Sequence, residues 1–332
     1  MATIHVFIDT NIFLSFFAYT NDDIEELKKL VGLIKNDKID LYLTKQVCRE
    51  FARNRETKII QALGEFGKIS LPGLPRLMTH YSKGGVYSKA VKDLKKIHND
   101  LVVKAKADAF AEEFPADKLF AAIMNVEDPI DEDDEDLQEA RLRTERNDPP
   151  GKAGSFGDRL NWEVLLANAL AATDMHIISK DGDFSSSIDA SKPHPVLAKE
   201  WKSKVGGTLY LHAELGAFIA AHFPDIKLAT DIERRDAINA LANSGSFATT
   251  HFAIVKLNSF VDLLTAPEID ELLDIATSNG QVGWIGKDPD VQIFFSKVVP
   301  LRWEKYPKER REQIAEMFGL SNHGEIVEKE ES

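Results

Sequence analysis

The sequence predicts an α/β fold on a parallel sheet, followed by a small all-α domain. Three observations carry this. The run Ile4 to Ile8 is short, apolar and β-branched, as an inner strand buried on both faces must be. Met175-His176-Ile177-Ile178 is a second run of that kind, and both runs end on acids. Apolar residues elsewhere recur mainly at helical spacing, and beyond Pro224 that spacing alone remains.

Taken in order, the first strand delivers Asp9 at its carboxyl end, where open α/β sheets bind ligands; capping the helix that begins near Asn11 is its alternative role. Asn21 or Asp22 is expected to cap a helix carrying Ile24, Leu27, Leu30, Val31 and Ile34 to about Asn36. Ile39 to Thr44 alternates as a strand, and Lys45 to about Leu63 returns to a helix. On that helix Glu50 lies close in angle to Val47 and Phe51. An unpaired carboxylate there is expensive, so it either pairs with Arg53 or Asn54 or serves a site.

Residues 64–155 read as a helical and acidic insertion. Pro72, Gly73 and Pro75 open it, and Tyr87 to Phe114 forms a long helix bearing Lys89, Lys92, Lys95, Lys96, Lys104 and Lys106. That strip is either a solvated face or a nucleic-acid contact. The block Asp131-Glu132-Asp133-Asp134-Glu135-Asp136 repels itself and is expected to be a mobile loop. Order resumes at Ser155-Phe156-Gly157-Asp158, where an acid in the first turn suits the helix dipole. The next strand ends in Ser179-Lys180-Asp181-Gly182-Asp183-Phe184, with Gly182 expected to let the turn bend. Thr208 to Leu211 reads as a last strand and Glu214 to Phe223 as its covering helix.

These readings divide the chain into an α/β domain over 1–224, a helical domain over 229–320 and a frayed tail over 321–332. In the helical domain, Thr265-Ala266-Pro267-Glu268 is a capping box, Gly280 is expected to close that helix, and Gly319 to stop the last one.

Composition bounds the function. There are 41 Lys and Arg against 54 Asp and Glu, a net charge of −13, which excludes a protein that coats nucleic acid through a basic surface but not a local acidic metal site. A single cysteine, Cys48, excludes an internal disulfide framework and a Cys-based zinc site, and suits a reducing cytosol. No leader opens the chain and no apolar run approaches the ~20 residues that span a bilayer, so a soluble, cytoplasmic protein is expected.

Asp9, Glu50, Asp158 and Asp181 are separated acids, each at a strand end or near a helix start that can face one crevice. Carboxylates packed together raise one another's pKa, so such a nest implies bound cations, and oxygen ligands without Cys or clustered His favour Mg²⁺ or Mn²⁺ over zinc.

In these motifs (Ile8-Asp9-Thr10-Asn11 at the first strand, Glu50 in Val47-Cys48-Arg49-Glu50-Phe51, Gly157-Asp158, and Ser179 to Phe184) the chain resembles the PIN-domain nucleases. The likeness covers roughly residues 3–63 and 155–224. It implies a three-layer α/β nuclease domain and a metal-dependent endoribonuclease, with toxin, defence and RNA-processing roles among those known in the family. It further implies that Asp9, Glu50, Asp158 and Asp181 bind metal, that Thr10 and Asn11 support Asp9, and that Asp183 is an extra acid. RNA is then the expected substrate, with DNA the alternative, and an inhibitory partner protein is a further expectation; no membrane is involved. Arg49, Arg53, Arg159 and Lys180 adjoin these acids, and either contact substrate phosphates or pair with the carboxylates. A phosphatase of the haloacid-dehalogenase type requires a second Asp at position 11, which is Asn. A non-catalytic module with the acids in capping and turn roles is the remaining reading.

Overall fold

A computed structural model describes residues 3–18, 23–68 and 72–321. The chain divides into two compact units, residues 1–227 and 228–332.

The first unit is built on four parallel strands. Chain order is β1 (Ile4–Ile8), α1 (Thr10–Ser15), α2 (Ile24–Lys35), β2 (Ile39–Leu41), α3 (Lys45–Gly67), α4 (Gly84–Phe110), α5 (Pro115–Met124), α6 (Asp134–Arg146), α7 (Phe156–Asn168), β3 (Met175–Ile178), α8 (Pro195–Lys204), β4 (Leu209–His212) and α9 (Leu215–His222). The spatial order is β2-β1-β3-β4, every neighbour parallel, with Val6 opposite both Leu41 and His176. The chain leaves β1 toward one edge and later returns to its other side, so the switch point lies at the carboxyl ends of β1 and β3. Val6, Phe7 and Ile8 are fully buried, as a central strand covered on both faces requires.

Asp23 caps α2 by accepting from the Glu25 amide; the cap expected at Asn21 or Asp22 lies outside the described residues. Thr44 caps α3 through the Val47 amide. The helix expected from Tyr87 to Phe114 runs instead from Gly84 to Phe110. It is solvated along its length, since of its residues Gly84 alone is buried.

The expected insertion at 64–155 is only partly an excursion. Phe120 and Ile123 of α5 are buried, Phe120 stacks on Phe51 of α3 with ring centroids 3.9 Å apart, and Arg55 of α3 holds Asp117. Ile130 forms a parallel bridge with Thr44, donating to the Leu43 carbonyl and accepting from the Lys45 amide. From Pro115 onward, therefore, the chain belongs to the packed domain.

The acidic block is not a mobile loop. Asp133 caps α6 in a reciprocal capping box with Asp136, and the further acids sit in the first turn, where the helix dipole favours them. The two acids before the helix meet cations, Asp131 with Lys45 and Glu132 with Arg49. Capping and pairing outweigh the mutual repulsion that sequence alone suggests. Farther along α6, Arg143 joins Glu163 of α7 to Glu200 of α8, fixing three helices with one guanidinium.

The second unit is helical throughout its described residues: α10 (Ala229–Ala242), α11 (Phe247–Asn258), α12 (Ala266–Ser278), α13 (Gly280–Trp284), α14 (Pro289–Val298) and α15 (Lys308–Phe318), with 3₁₀ turns between some of them. Its own core includes Leu241, Leu257, Leu272, Phe294, Phe295 and Phe318. Thr265 and Glu268 form the predicted capping box, and Gly319 ends α15 at φ 61°. Gly280 does not close α12; Asn279 does. Its side chain also starts α13 and donates to the carbonyls of Leu241 and Ser244. The tail beyond Ser321 lies outside the described residues. Among the described residues no helix is long and apolar enough to cross a membrane.

Candidate functional site

Asp9 leaves β1 at the switch point, with its amide bonded to the Ile178 carbonyl of β3. It precedes α1, yet its side chain makes no capping bond. Instead Oδ2 accepts from Asn11 Nδ2 at 2.9 Å and from Ser179 Oγ at 2.7 Å. Asp9 is only 5% exposed. Burial pushes its pKa up to about 7; the Ser179 bond opposes this, and the charges of Asp158, Glu50 and Asp181 add to it.

Glu50 comes from α3. Thr10 Oγ1 donates to its Oε2 at 3.0 Å and Gln46 Nε2 to its Oε1 at 2.7 Å. Thr10 thus orients Glu50 rather than the expected Asp9. The Arg53 guanidinium is 3.9 Å from Glu50, a loose contact from a side chain 67% exposed.

Asp158 lies in the first turn of α7 without capping it, and Ser155 Oγ donates to it. Burial raises its pKa, opposed by that hydroxyl, and Glu50 and Asp181 raise it further. Asp181 is exposed in the turn after β3, and Asp183 is half-buried beside it. Burial raises the Asp183 pKa, with Asp158 and Asp181 adding to the effect and Lys152 opposing it.

Two glycines make room for this cluster. A β-carbon at Gly157 would stand 2.0 Å from Glu50 Oε1, and one at Gly151, whose φ is +86°, would stand 2.8 Å from Asp158 Oδ2. Gly182, expected to be the special turn residue, meets nothing nearer than 3.5 Å and does not take a left-handed φ.

The four predicted acids therefore come together as one electrostatically coupled group, with Asp183 at its margin. Their spacing is looser than a single bare-ion cage: among the described residues, no three of them bring oxygens within 4.8 Å of one another. That suits a hard cation which keeps several waters and takes one or two carboxylates directly. The all-oxygen donor set fits Mg²⁺ or Mn²⁺.

The basic residues separate. Arg159 is 1% exposed and donates to the carbonyls of Asp148 and Ser155, which removes it as a phosphate contact. Arg49 is held by Glu132 at 2.6 Å and reaches Gln46, so its charge serves the acidic block. Lys180 is exposed on the turn beside Asp181, and its amide donates to Asn11 Oδ1.

Sequence reasoning missed Ser179, Gln46 and Ser155 as supports. Gln46 was readable as the residue one turn before Glu50. Ser179 was readable as a hydroxyl ending the strand beside the one that carries Asp9.

A family model described as PIN domain matches residues 6–184, from the first strand through the turn that carries Asp181 and Asp183. No curated protein and no solved structure gives a match. With more than half of its length inside that match, the chain belongs to the PIN-domain family, whose members are nucleases that typically depend on divalent metals such as Mg²⁺ or Mn²⁺.

Proposed function

We propose that the chain is a metal-dependent endoribonuclease that hydrolyses RNA at the crevice of Asp9, Glu50, Asp158 and Asp181. The observation that supports this most is the coupling itself: buried Asp9 feels three other acids, and among the described residues no cationic side chain pairs with it, an arrangement that a bound cation would relieve. In this reading Asp9, Glu50, Asp158 and Asp181 hold the metal, one or two of them directly and the others through its waters, and Asp183 adds charge at the rim. Bound there, the cations lower the pKa of an attacking water and offset charge on the phosphate. Asn11 and Ser179 hold Asp9, leaving its Oδ1 for coordination, while Thr10 and Gln46 hold Glu50. Arg53 and Lys180 remain the candidate phosphate contacts, both exposed beside the acids. The RNA reading rests on the prevailing activity of the family, and a toxin, defence or RNA-processing role with an inhibitory partner follows the same resemblance.

Incubation with Mn²⁺ and matched single-stranded RNA, duplex RNA and DNA tests this. Internal cleavage of RNA, lost in Asp9→Asn, is expected. Cleavage of DNA alone would move the assignment to a structure-specific DNA nuclease. Cleavage unaffected by Asp9→Asn would place the chemistry elsewhere.

A further inference from the structure

Where β3, β4 and α9 meet, three imidazoles from three elements converge. His176 lies on β3, His212 ends β4 and His222 closes α9. Each offers a ring nitrogen, and the three nitrogens lie within 4.8 Å of one another; among the described residues no other His, Cys, Asp or Glu group meets that spacing. His176 Nδ1 and His212 Nε2 are 2.9 Å apart.

We propose that His176, His212 and His222 form a second metal site, for a borderline transition ion of the zinc type. Histidine nitrogens bind zinc at ~2.0–2.1 Å, so two tetrahedral ligands stand roughly 3.3 Å apart. Only a few tenths of an ångström of widening between His176 and His212 is needed. The walls already orient the rings: His176 stacks on Tyr210 at 4.7 Å, and Phe218 packs against His176, His212 and His222 at 5.6, 5.0 and 4.7 Å. The three histidines are only partly buried, and Tyr210, on the edge strand beside them, is 42% exposed. A cation also suits this end of α9, since His222 lies in its last turn, at the negative end of the helix dipole.

Nitrogen donors make this site chemically distinct from the acid crevice, which takes harder ions. An ion here clips the edge strand and α9 to β3, the strand that leads into Ser179 and Asp181. The sequence conceals the site because its ligands are 36 and 10 residues apart and fall in no motif.

The test is equilibrium dialysis of the full chain against Zn²⁺ with excess Mg²⁺, alongside Co²⁺ absorption as a readout of tetrahedral nitrogen coordination. Wild type and Asp9→Asn are expected to retain one Zn²⁺ per chain. His222→Gln is expected to lose at least roughly 100-fold in affinity, the upper end of what losing a mere outer-shell partner costs. His222 is half-buried at a helix end, and metal-free melting of that variant checks that it folds. No retained Zn²⁺ in the wild type overturns the proposal, and so does retention in His222→Gln with loss in Asp9→Asn, which would assign the zinc to the acids.

Discussion

Two regions of the first unit are dense in carboxylates, and they behave in opposite ways. In residues 131–136 the acids have assigned partners: Lys45 for Asp131, Arg49 for Glu132, and backbone amides for the Asp133 cap. At the end of β1 the acids have mainly one another, together with hydroxyls and amides that orient them without neutralising them. The first arrangement stabilises a helix. The second opposes folding, and a bound cation would relieve it. Density of charge therefore says little; what distinguishes structure from site is whether the partners of each carboxylate carry compensating charge or dipole.

The largest effect expected from this contrast is in the crevice. Asp9→Asn keeps an oxygen for Asn11 and Ser179 but removes the charge, so cleavage is expected to fall by more than the roughly 10–100-fold that losing an outer-shell support costs. Melting without metal is expected to stay level or rise. A large fall in metal-free stability would mean that Asp9 belongs with the partnered acids.

The contrast also has a pH signature. The folded pKa of Asp9, about 7, lies above its ordinary value near 3.8, so the native state holds the extra proton between them. The stability of metal-free protein is then highest below about pH 4 as far as this group is concerned, and falls as pH rises toward about 7. One such group contributes a slope of at most about 1.4 kcal/mol per pH unit. Denaturant titrations across that range, for wild type and Asp9→Asn, should differ in slope, and saturating Mn²⁺ should flatten the wild type. Identical slopes in the two proteins would remove Asp9 as the source.

In the acidic block the effects are smaller and of opposite sign. Asp133→Ala removes the side-chain cap of α6 and should cost about 1 kcal/mol of stability, read by urea unfolding. Cleavage should persist. Smaller still is Arg49→Gln, which loses an exposed pair with Glu132 and is expected to cost roughly 0.2–1 kcal/mol, fading with added salt. Loss of RNA affinity in Arg49→Gln would return that residue to the substrate path and weaken the division drawn between the two regions.

Where burial and periodicity coincide, the sequence was legible. β1 and β3 are apolar runs because both faces are covered, and Asp9 stands out because it ends one of them. Glu50 stood out as a carboxylate close to the buried face of its helix, whereas Asp158 read equally well as an acid that suits the dipole of α7, and its lack of a capping bond shows only in the structure. The rest depends on contacts distant in sequence. Nothing local marks Ile130 as the partner of Thr44, so the packed part of residues 64–155 read as an insertion. The cations that fix Asp131 and Glu132 lie on α3, more than eighty residues earlier, and without them the block reads as pure repulsion. Arg159 looked like a substrate contact because it adjoins Asp158, but neighbours on a helix point in different directions, and this one points inward to backbone carbonyls.

Gly157 carries a consequence for genetics. Its missing β-carbon is the space that Glu50 occupies. Replacement by alanine alters no charge, no ligand and no hydrogen-bonding group, yet it cannot coexist with the present position of that carboxylate. A screen for inactive alleles should therefore recover a class that keeps every acid intact, clustered at Gly157 and Gly151, and such alleles would look harmless to any inspection that counts only the reactive groups.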